Sequence, residues 1–454
     1  MDILSEQEVN KILQDKENIS GQEFSDILEK AKLKKGLEIE DVSALLNTED
    51  ENLLEKLFET AREIKQEIYG NRLVLFAPLY ISDYCVNNCK YCGFHTDNKS
   101  PRKKLTLDEV IRQVKILEDM GHKRLLLEFG EDEINNPIDY VVDVIKAIYN
   151  TKSGNGEIRR VNVNIAATSV ENYRKLKEVG IGTYQLFQET YHRPTYAKLH
   201  QGPKADYDRQ ITAHERAFEA GIDDYGMGVL FGLYDYKFEV LSLISHAKYL
   251  EEKLGVGPHT ISVPRHNSAQ TVDFESNYKL SDKDFLKLIA IIRLAVPYTG
   301  MIISTRETPE VRRQAFQIGI SQTSAGSKTS PGGYGQEECN AQFEVHDSRT
   351  LDEIAREICE MGYLPSFCTA CYRSGRTGDN FMELAKSGQI QSMCQPNALV
   401  TLEEYLMDYA SEATKKAGDK LIENEIDKIG NLVIKNKLIN SLEEVKQGKR
   451  DLFI

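Results

Sequence analysis

Tryptophan is absent from the 454 residues, proline is sparse at 12, and no apolar run approaches the ~20 residues that a bilayer-spanning helix requires. The last absence excludes a helical membrane protein. An excess of cationic side chains is also missing, because 57 Lys+Arg against 71 Asp+Glu leave a formal net charge of −14. Such a balance argues against a nucleic-acid partner and against an anionic membrane surface. The first residues, Met1-Asp-Ile-Leu-Ser-Glu-Gln-Glu, lack the basic-then-apolar layout of a secretion signal. A cytoplasmic, reducing location is therefore expected, and structural disulfides are not. No Gly-x-Gly-x-x-Gly follows the first strand-like run, which weakens any dinucleotide-binding reading.

What is present is rhythm and cysteine. Residues 1–70 are charged and helix-favouring, with apolar residues at helical spacing in Glu51-Asn-Leu-Leu-Glu-Lys-Leu-Phe-Glu-Thr-Ala-Arg-Glu-Ile-Lys. From about residue 72 short β-branched or apolar runs alternate with amphipathic stretches such as Thr106–Met120 and Asp282–Leu294. Eight strands are expected, at Arg72–Phe76, Arg124–Phe129, Arg160–Ile165, Gly182–Gln188, Tyr225–Phe231, Thr260–Val263, Gly300–Ser304 and Gly319–Thr323. Eight βα units in about 250 residues match a TIM-type (β/α)8 barrel, here over residues 71–328. The Gly-rich segment Thr329-Ser-Pro-Gly-Gly-Tyr-Gly ends that rhythm, and residues 329–454 read as a mostly helical C-terminal domain.

Six of the eight cysteines fall into two groups, while Cys339 and Cys359 stand alone. Cys359 shares a helical apolar face with Leu351, Ile354, Ala355 and Ile358 and reads as a core thiol. The first group is Tyr84-Cys85-Val-Asn-Asn-Cys89-Lys-Tyr91-Cys92, a C-x3-C-x2-C spacing just after the first strand. Structural zinc is one reading, with His95 near enough in sequence to be a fourth ligand. The other is a 4Fe-4S cube held at three corners, with its fourth iron open to a guest. The address favours chemistry, since barrel enzymes place reacting groups at the C-terminal ends of their strands.

This loop, with Tyr91 as its aromatic, resembles the signature of the radical S-adenosylmethionine (SAM) superfamily. The resemblance implies that the amino and carboxylate groups of SAM chelate the open iron, and that an electron from the cube releases a 5′-deoxyadenosyl radical. Phe129-Gly130-Glu131 looks like a variant of the family's Gly-Gly-Glu, which holds the SAM ammonium, with Phe in place of the first Gly. Gln188-Glu189-Thr-Tyr-His-Arg193 is similar to the segment that binds ribose and carboxylate. Gly226-Met-Gly-Val229-Leu-Phe-Gly is similar to the one lying along adenine.

The second group is Cys368-Thr-Ala-Cys371 followed by Cys394, a C-x2-C-x22-C spacing. Zinc carries more weight here, because C-x2-C is a common zinc half-site; a second cluster with its own vacant iron is the preferred reading. The two trios together resemble the tyrosine-lyase family of FeFe-hydrogenase maturation. The likeness extends over Ala77–Cys89, Gly156–Asn164, Gly257–Ser262, Ser304–Glu307 and Ser324–Tyr334.

The resemblance implies hydrogen abstraction from the amino group of L-tyrosine, cleavage to p-cresol and dehydroglycine, and conversion of the latter to CO and cyanide. Those diatomics are captured on iron at the auxiliary cluster as an Fe-CO-cyanide unit bearing L-cysteine. Arg306, with Ser324 or Ser327, is expected to receive the tyrosine carboxylate. His259 is expected as ligand to an additional iron, with His266 as competitor. A low-potential donor such as flavodoxin or ferredoxin and the other hydrogenase maturation proteins are the implied partners. Competing readings are the tyrosine lyase of thiazole biosynthesis, biotin-synthase-like sulfur insertion, and a non-catalytic iron-sulfur or zinc scaffold.

Overall fold

The structure is a computed structural model and describes residues 3–336, 340–375 and 378–454. Cys339 lies outside these described residues. Eight parallel strands form the centre: β1 (Arg72–Ser82), β2 (Arg124–Phe129), β3 (Arg160–Asn164), β4 (Tyr184–Gln185), β5 (Tyr225–Gly228), β6 (Thr260–Ser262), β7 (Gly300–Ile303) and β8 (Gln322–Ser324). Each pairs with its successor, and β1 pairs with both β2 and β8, so the sheet closes into the expected (β/α)8 barrel. Parallel closure gathers every strand start at one mouth and every strand end at the other.

Helix boundaries follow local chemistry. Thr106 caps helix Leu107–Asp119 in a reciprocal capping box with Glu109, and Val110, Val114 and Leu117 face the core. Strand bounds differ in several places: β1 runs on past Phe76 to Ser82, β5 stops at Gly228 short of the expected Phe231, and β4 and β8 depart for visible reasons. The run Gly182–Gln188 keeps only Tyr184–Gln185 as a ladder, continued by an isolated bridge between Glu189 and Val229. Gly319 caps helix Pro309–Ile318, and Ile320 still donates its N–H to the Ala315 carbonyl, so β8 begins later than residue 319.

A ninth strand, β9 (Leu364–Ser366), was not expected. Three residues with a central proline carry no alternation to read. β9 pairs with β1 at Arg72–Val74, beside the stretch where β8 pairs at Val74–Phe76. This short ladder brings the cysteine-bearing C-terminal segment to the lower mouth.

Four helices precede the barrel, at Glu6–Asp15, Gly21–Lys32, Ile39–Asn47 and Glu51–Tyr69. The stripe Leu54, Leu57, Ala61, Ile64 and Ile68 of the last is buried. These helices, the β5–β8 half of the barrel and the C-terminal helices share one apolar core, while a second core lies behind β1–β4. Cys359 is buried in the first core, as its helical position predicts. Among the described residues no helix is long and apolar enough to cross a membrane.

One buried ion pair secures the end of β8. Arg312 and Asp347 are both fully buried, and the Arg312 guanidinium also donates to Thr323 Oγ1 at 2.7 Å and to the Ser324 carbonyl at 2.7 Å. Burial alone would raise the Asp347 carboxyl, but the Arg349 and Arg312 guanidinium groups outweigh it and hold it low. Asp347→Ala is expected to cost about 3–5 kcal/mol, because it strands a buried cation. Glu310→Ala, which removes an exposed partner of Arg313, should leave stability nearly unchanged. Urea midpoints of the two variants check the contrast, and equal losses would show that Arg312 does not depend on Asp347.

Candidate active site

At the upper mouth the chain leaves β1 and crosses the strand ends as a loop carrying Cys85, Cys89 and Cys92. Backbone bonds pin this loop on several sides: Val86 N–H to Glu131 O at 2.8 Å, Asn88 N–H to Gln201 O at 3.1 Å, and Lys90 N–H to Leu199 O at 3.0 Å. The approach of β2 is close enough to require glycine, since a Cβ on Gly130 would lie 2.3 Å from the Tyr84 carbonyl oxygen. Residues following the Gly-rich segment return over the same loop, where Gly93 N–H donates to Gln342 O at 3.1 Å.

The three thiols line a cavity of ≈ 200 Å³ that also receives Tyr91, Glu128, Gly130, Glu131, Glu189, Lys204, Arg306, Ser324 and Ser327. Of its three carboxylates, two are already paired. Glu131 accepts from Asn87 at 2.6 Å and from Arg209 at 2.7 Å. Glu189 accepts from Lys204 at 2.7 Å and sits at φ +68°, a left-handed conformation unusual for a side chain of its size. The turn is clamped from behind by buried Glu239, whose carboxylate accepts from Thr190 Oγ1 and, at 2.8 Å, from Tyr191 N–H. Burial pushes the Glu239 carboxyl up to about 8.

Arg306 follows β7 and stacks over Phe343, its guanidinium carbon 3.3 Å from the ring centroid. Burial lowers its pKa, and the neighbouring Tyr80, Glu189 and Cys92 act in the opposite direction. Ser324 Oγ accepts from Thr305 N–H at 3.3 Å, while buried Ser327 Oγ has no partner. The arginine and both serines thus converge on one wall.

Tyr91 lines the same cavity, and the other expected residues lie around or outside it. Tyr91 is buried with its hydroxyl 2.8 Å from His200 Nε2. Gln188 and Val229 are buried beside the cavity but do not line it. Arg193 is exposed, paired with Asp208 at 2.9 Å, and lies over Tyr207. The cation that faces the cavity from this region is Lys204, on the short 3-10 turn Pro203–Ala205. Neither Lys204 nor Glu128 was singled out in the sequence. Glu128 belonged to a strand read only for its apolar residues, and a lone Lys in a loop carries no spacing signal.

His95 is not turned toward the thiols. Its Nδ1 lies 3.3 Å from Asn88 Oδ1 and its Nε2 lies 3.1 Å from the Thr271 carbonyl oxygen. Among the described residues no three His, Cys, Asp or Glu side chains converge as one metal ion would require. With His95 turned away, the three thiols lack among the described residues the fourth ligand that a closed zinc tetrahedron takes, and they suit a 4Fe-4S cube held at three corners. Burial pushes the Cys92 thiol up to about 11 and raises Cys89 as well, so cluster ligation must displace their protons. The donor set fits a cube with a free corner.

The second trio lies at the opposite mouth. Cys368 follows β9, Cys371 sits on the short helix Ala370–Arg373, and Cys394 on helix Ile390–Asp408. With them a ≈ 50 Å³ cavity collects Arg72, Arg124, His259, Gln322, Tyr372 and Phe381. Arg72 and Arg124 are the first residues of β1 and β2, and Arg124 Nη2 donates to the Cys368 carbonyl at 3.0 Å. His259 packs on Phe381 with ring centroids 4.2 Å apart, and burial lowers its pKa, keeping the imidazole neutral. Among the described residues its Nδ1 makes no hydrogen bond, and it lies 3.8 Å from Asp224 Oδ1. His266 instead follows β6 at the other mouth, where its N–H bonds Phe231 O at 2.8 Å. Only His259 therefore shares the lower cavity with cysteines. The three thiols, a neutral imidazole and two flanking cations suit an anionic cluster.

Comparison with known proteins gives a consistent picture. Residues 79–245 match the radical SAM superfamily, and residues 262–364 match the Biotin and Thiamin Synthesis associated domain. A crystal structure of HydG, a maturase of the [FeFe]-hydrogenase, superposes with a TM-score of 0.98 at 57% identity and covers 100% of both chains. HydG from Carboxydothermus hydrogenoformans superposes with a TM-score of 0.85 at 40% identity, over 96% of this chain and 97% of that one. The 2-iminoacetate synthase of Escherichia coli (strain K12) is 30% identical over 76% of this chain and 91% of its own.

His95→Ala tests the cluster geometry. Iron and sulfide bound after anaerobic reconstitution should match the wild type, with a stability loss of about 1–3 kcal/mol from two broken hydrogen bonds. Loss of the first cluster's iron would make His95 a ligand.

Proposed function

Because the chain belongs to the radical SAM superfamily and, within it, to the HydG family of FeFe-hydrogenase maturases, we propose that it is a tyrosine lyase supplying diatomic ligands for the hydrogenase active-site cluster. The family implies a 4Fe-4S cluster and SAM. When bound, they supply a 5′-deoxyadenosyl radical to the closed cavity. Cys85, Cys89 and Cys92 would hold that cluster, leaving one corner for SAM. Gly130 and Glu131 would border the SAM ammonium, and Glu189 with Lys204 its polar rim.

Arg306, Ser324 and Ser327 would orient the tyrosine carboxylate, a match of planar guanidinium to carboxylate that lysine would not reproduce. The apolar wall residues Leu126, Ile302 and Phe343 would shield the bound substrate from water. Cleavage then gives p-cresol and dehydroglycine, the source of CO and cyanide. Cys368, Cys371, Cys394 and His259 would hold an auxiliary cluster with an additional iron, which would supply a metal site for the diatomics and L-cysteine. Reduction requires a low-potential donor of the flavodoxin or ferredoxin type.

The observation that carries this reading is the pair of three-cysteine cavities at opposite mouths of one barrel. The thiazole-pathway lyase would need only the upper one, and a sulfur-inserting enzyme would consume the sulfide of the lower one. Reduced protein incubated anaerobically with SAM and tyrosine should yield deoxyadenosine, p-cresol, CO and cyanide together. Cys85→Ala should abolish all four, whereas Cys371→Ala should keep p-cresol and lose most CO. Equal loss of p-cresol in both variants would contradict the division of labour.

A further inference from the structure

The upper cavity has a charge inventory that does not cancel locally. Among the described residues its lining carries three carboxyl groups, Glu128, Glu131 and Glu189, and two side-chain cations, Lys204 and Arg306. Glu131 is ion-paired with Arg209, and Glu189 with Lys204, each at 2.7 Å. Glu128 and Arg306 remain. No ion pair within 4.0 Å is formed by either among the described residues, although each feels the other's charge. One carboxyl and one guanidinium without an ion pair therefore face the same cavity, too far apart for direct contact.

The barrel explains why Glu128 stays where it is. It lies near the end of β2, in register with Tyr80 on β1 and Asn164 on β3, and all three side chains line the cavity. Tyr80 is committed elsewhere, its hydroxyl donating to Gln342 at 2.8 Å. Asn164 bonds the Glu128 carboxyl, and burial pushes that carboxyl up to about 8. Half-buried in the cavity wall, this carboxyl is neutral near pH 7 until a cation arrives beside it and favours its ionised form. Arg306, past the end of β7, is in the complementary situation.

We infer that Glu128 is the ammonium subsite of the substrate cavity and that Glu128 and Arg306 together select a zwitterionic α-amino acid. The inference rests on the tyrosine-lyase reading and extends it. Arg306 receives the carboxylate, and Glu128 receives the nitrogen from which hydrogen is taken. Holding the nitrogen fixes the direction of its N–H bonds, so the residue that binds the ammonium also decides which hydrogen faces the radical.

Analogue binding separates the two charges. Binding of labelled tyrosine, 3-(4-hydroxyphenyl)propanoate and tyramine to reconstituted, SAM-loaded protein is measured by equilibrium dialysis. The wild type should prefer tyrosine to the propanoate, which lacks the ammonium, by about 30-fold or more. Glu128→Gln should erase that preference while keeping the preference for tyrosine over tyramine, and Arg306→Gln should do the reverse. Glu128→Asp, which keeps the charge, should retain a measurable preference for the ammonium, so the claim stands testable even if the Gln variant folds poorly.

Undiminished discrimination in Glu128→Gln would overturn the assignment. So would a loss of the SAM-induced change in the cluster's paramagnetic signal, since Glu128 would then serve SAM. A wild type that binds tyrosine and makes p-cresol, with Glu128→Gln discriminating normally, sinks this inference alone. A wild type that makes no p-cresol sinks the lyase reading beneath it.

Discussion

Parallel closure of β1–β8 is the constraint from which the remaining arrangement follows. A closed parallel barrel has two chemically different ends, one made of strand starts and one of strand ends, separated by the length of the strands. The Cys85–Cys92 loop leaves β1 at its end and so lies on the upper mouth. The Cys368 segment enters through β9, paired with the start of β1, and so lies on the lower one. One strand, β1, thereby organises both cysteine sites.

Electrostatics sorts the same two ends. The upper mouth mixes acids and cations, most of them already paired, as a site for polar organic molecules requires. The lower mouth is fringed by Arg72 and Arg124 and by the ring of His259, with no carboxylate among the described residues that line it and Asp224 behind the ring at 3.8 Å. Cations beside a thiolate trio offset the charge that burial would otherwise penalise. Arg72 has Cys394, Cys371 and Cys368 as the anionic neighbours that raise its pKa against the effect of burial.

Much of this was legible in the sequence because it depended on spacing. The C-x3-C-x2-C and C-x2-C-x22-C patterns identify both trios, and alternation of short strands with amphipathic helices gives the barrel. The limits of β2 are legible because Leu125–Leu127 and Phe129 form a compact apolar run, whereas β4 is shorter than its apolar run because beyond Gln185 it keeps only single bonds to Gly226 and Gly228 and an isolated bridge at Glu189. β9 escaped notice because three residues carry no period. The cavity's partners escaped for a different reason: Lys204, Arg209 and Asn87 meet Glu189 and Glu131 only through tertiary closure, and Arg193, the cation that the sequence offered, is turned outward onto Asp208.

Anomalous diffraction at the iron edge, from crystals of the anaerobically reconstituted protein, addresses the central claim most directly. The account predicts two iron peaks at opposite ends of the barrel, one bonded to Cys85, Cys89 and Cys92 with no fourth protein side chain, the other to Cys368, Cys371 and Cys394. A single iron site, a zinc signal at either position, or a fourth protein ligand on the upper cluster would contradict it.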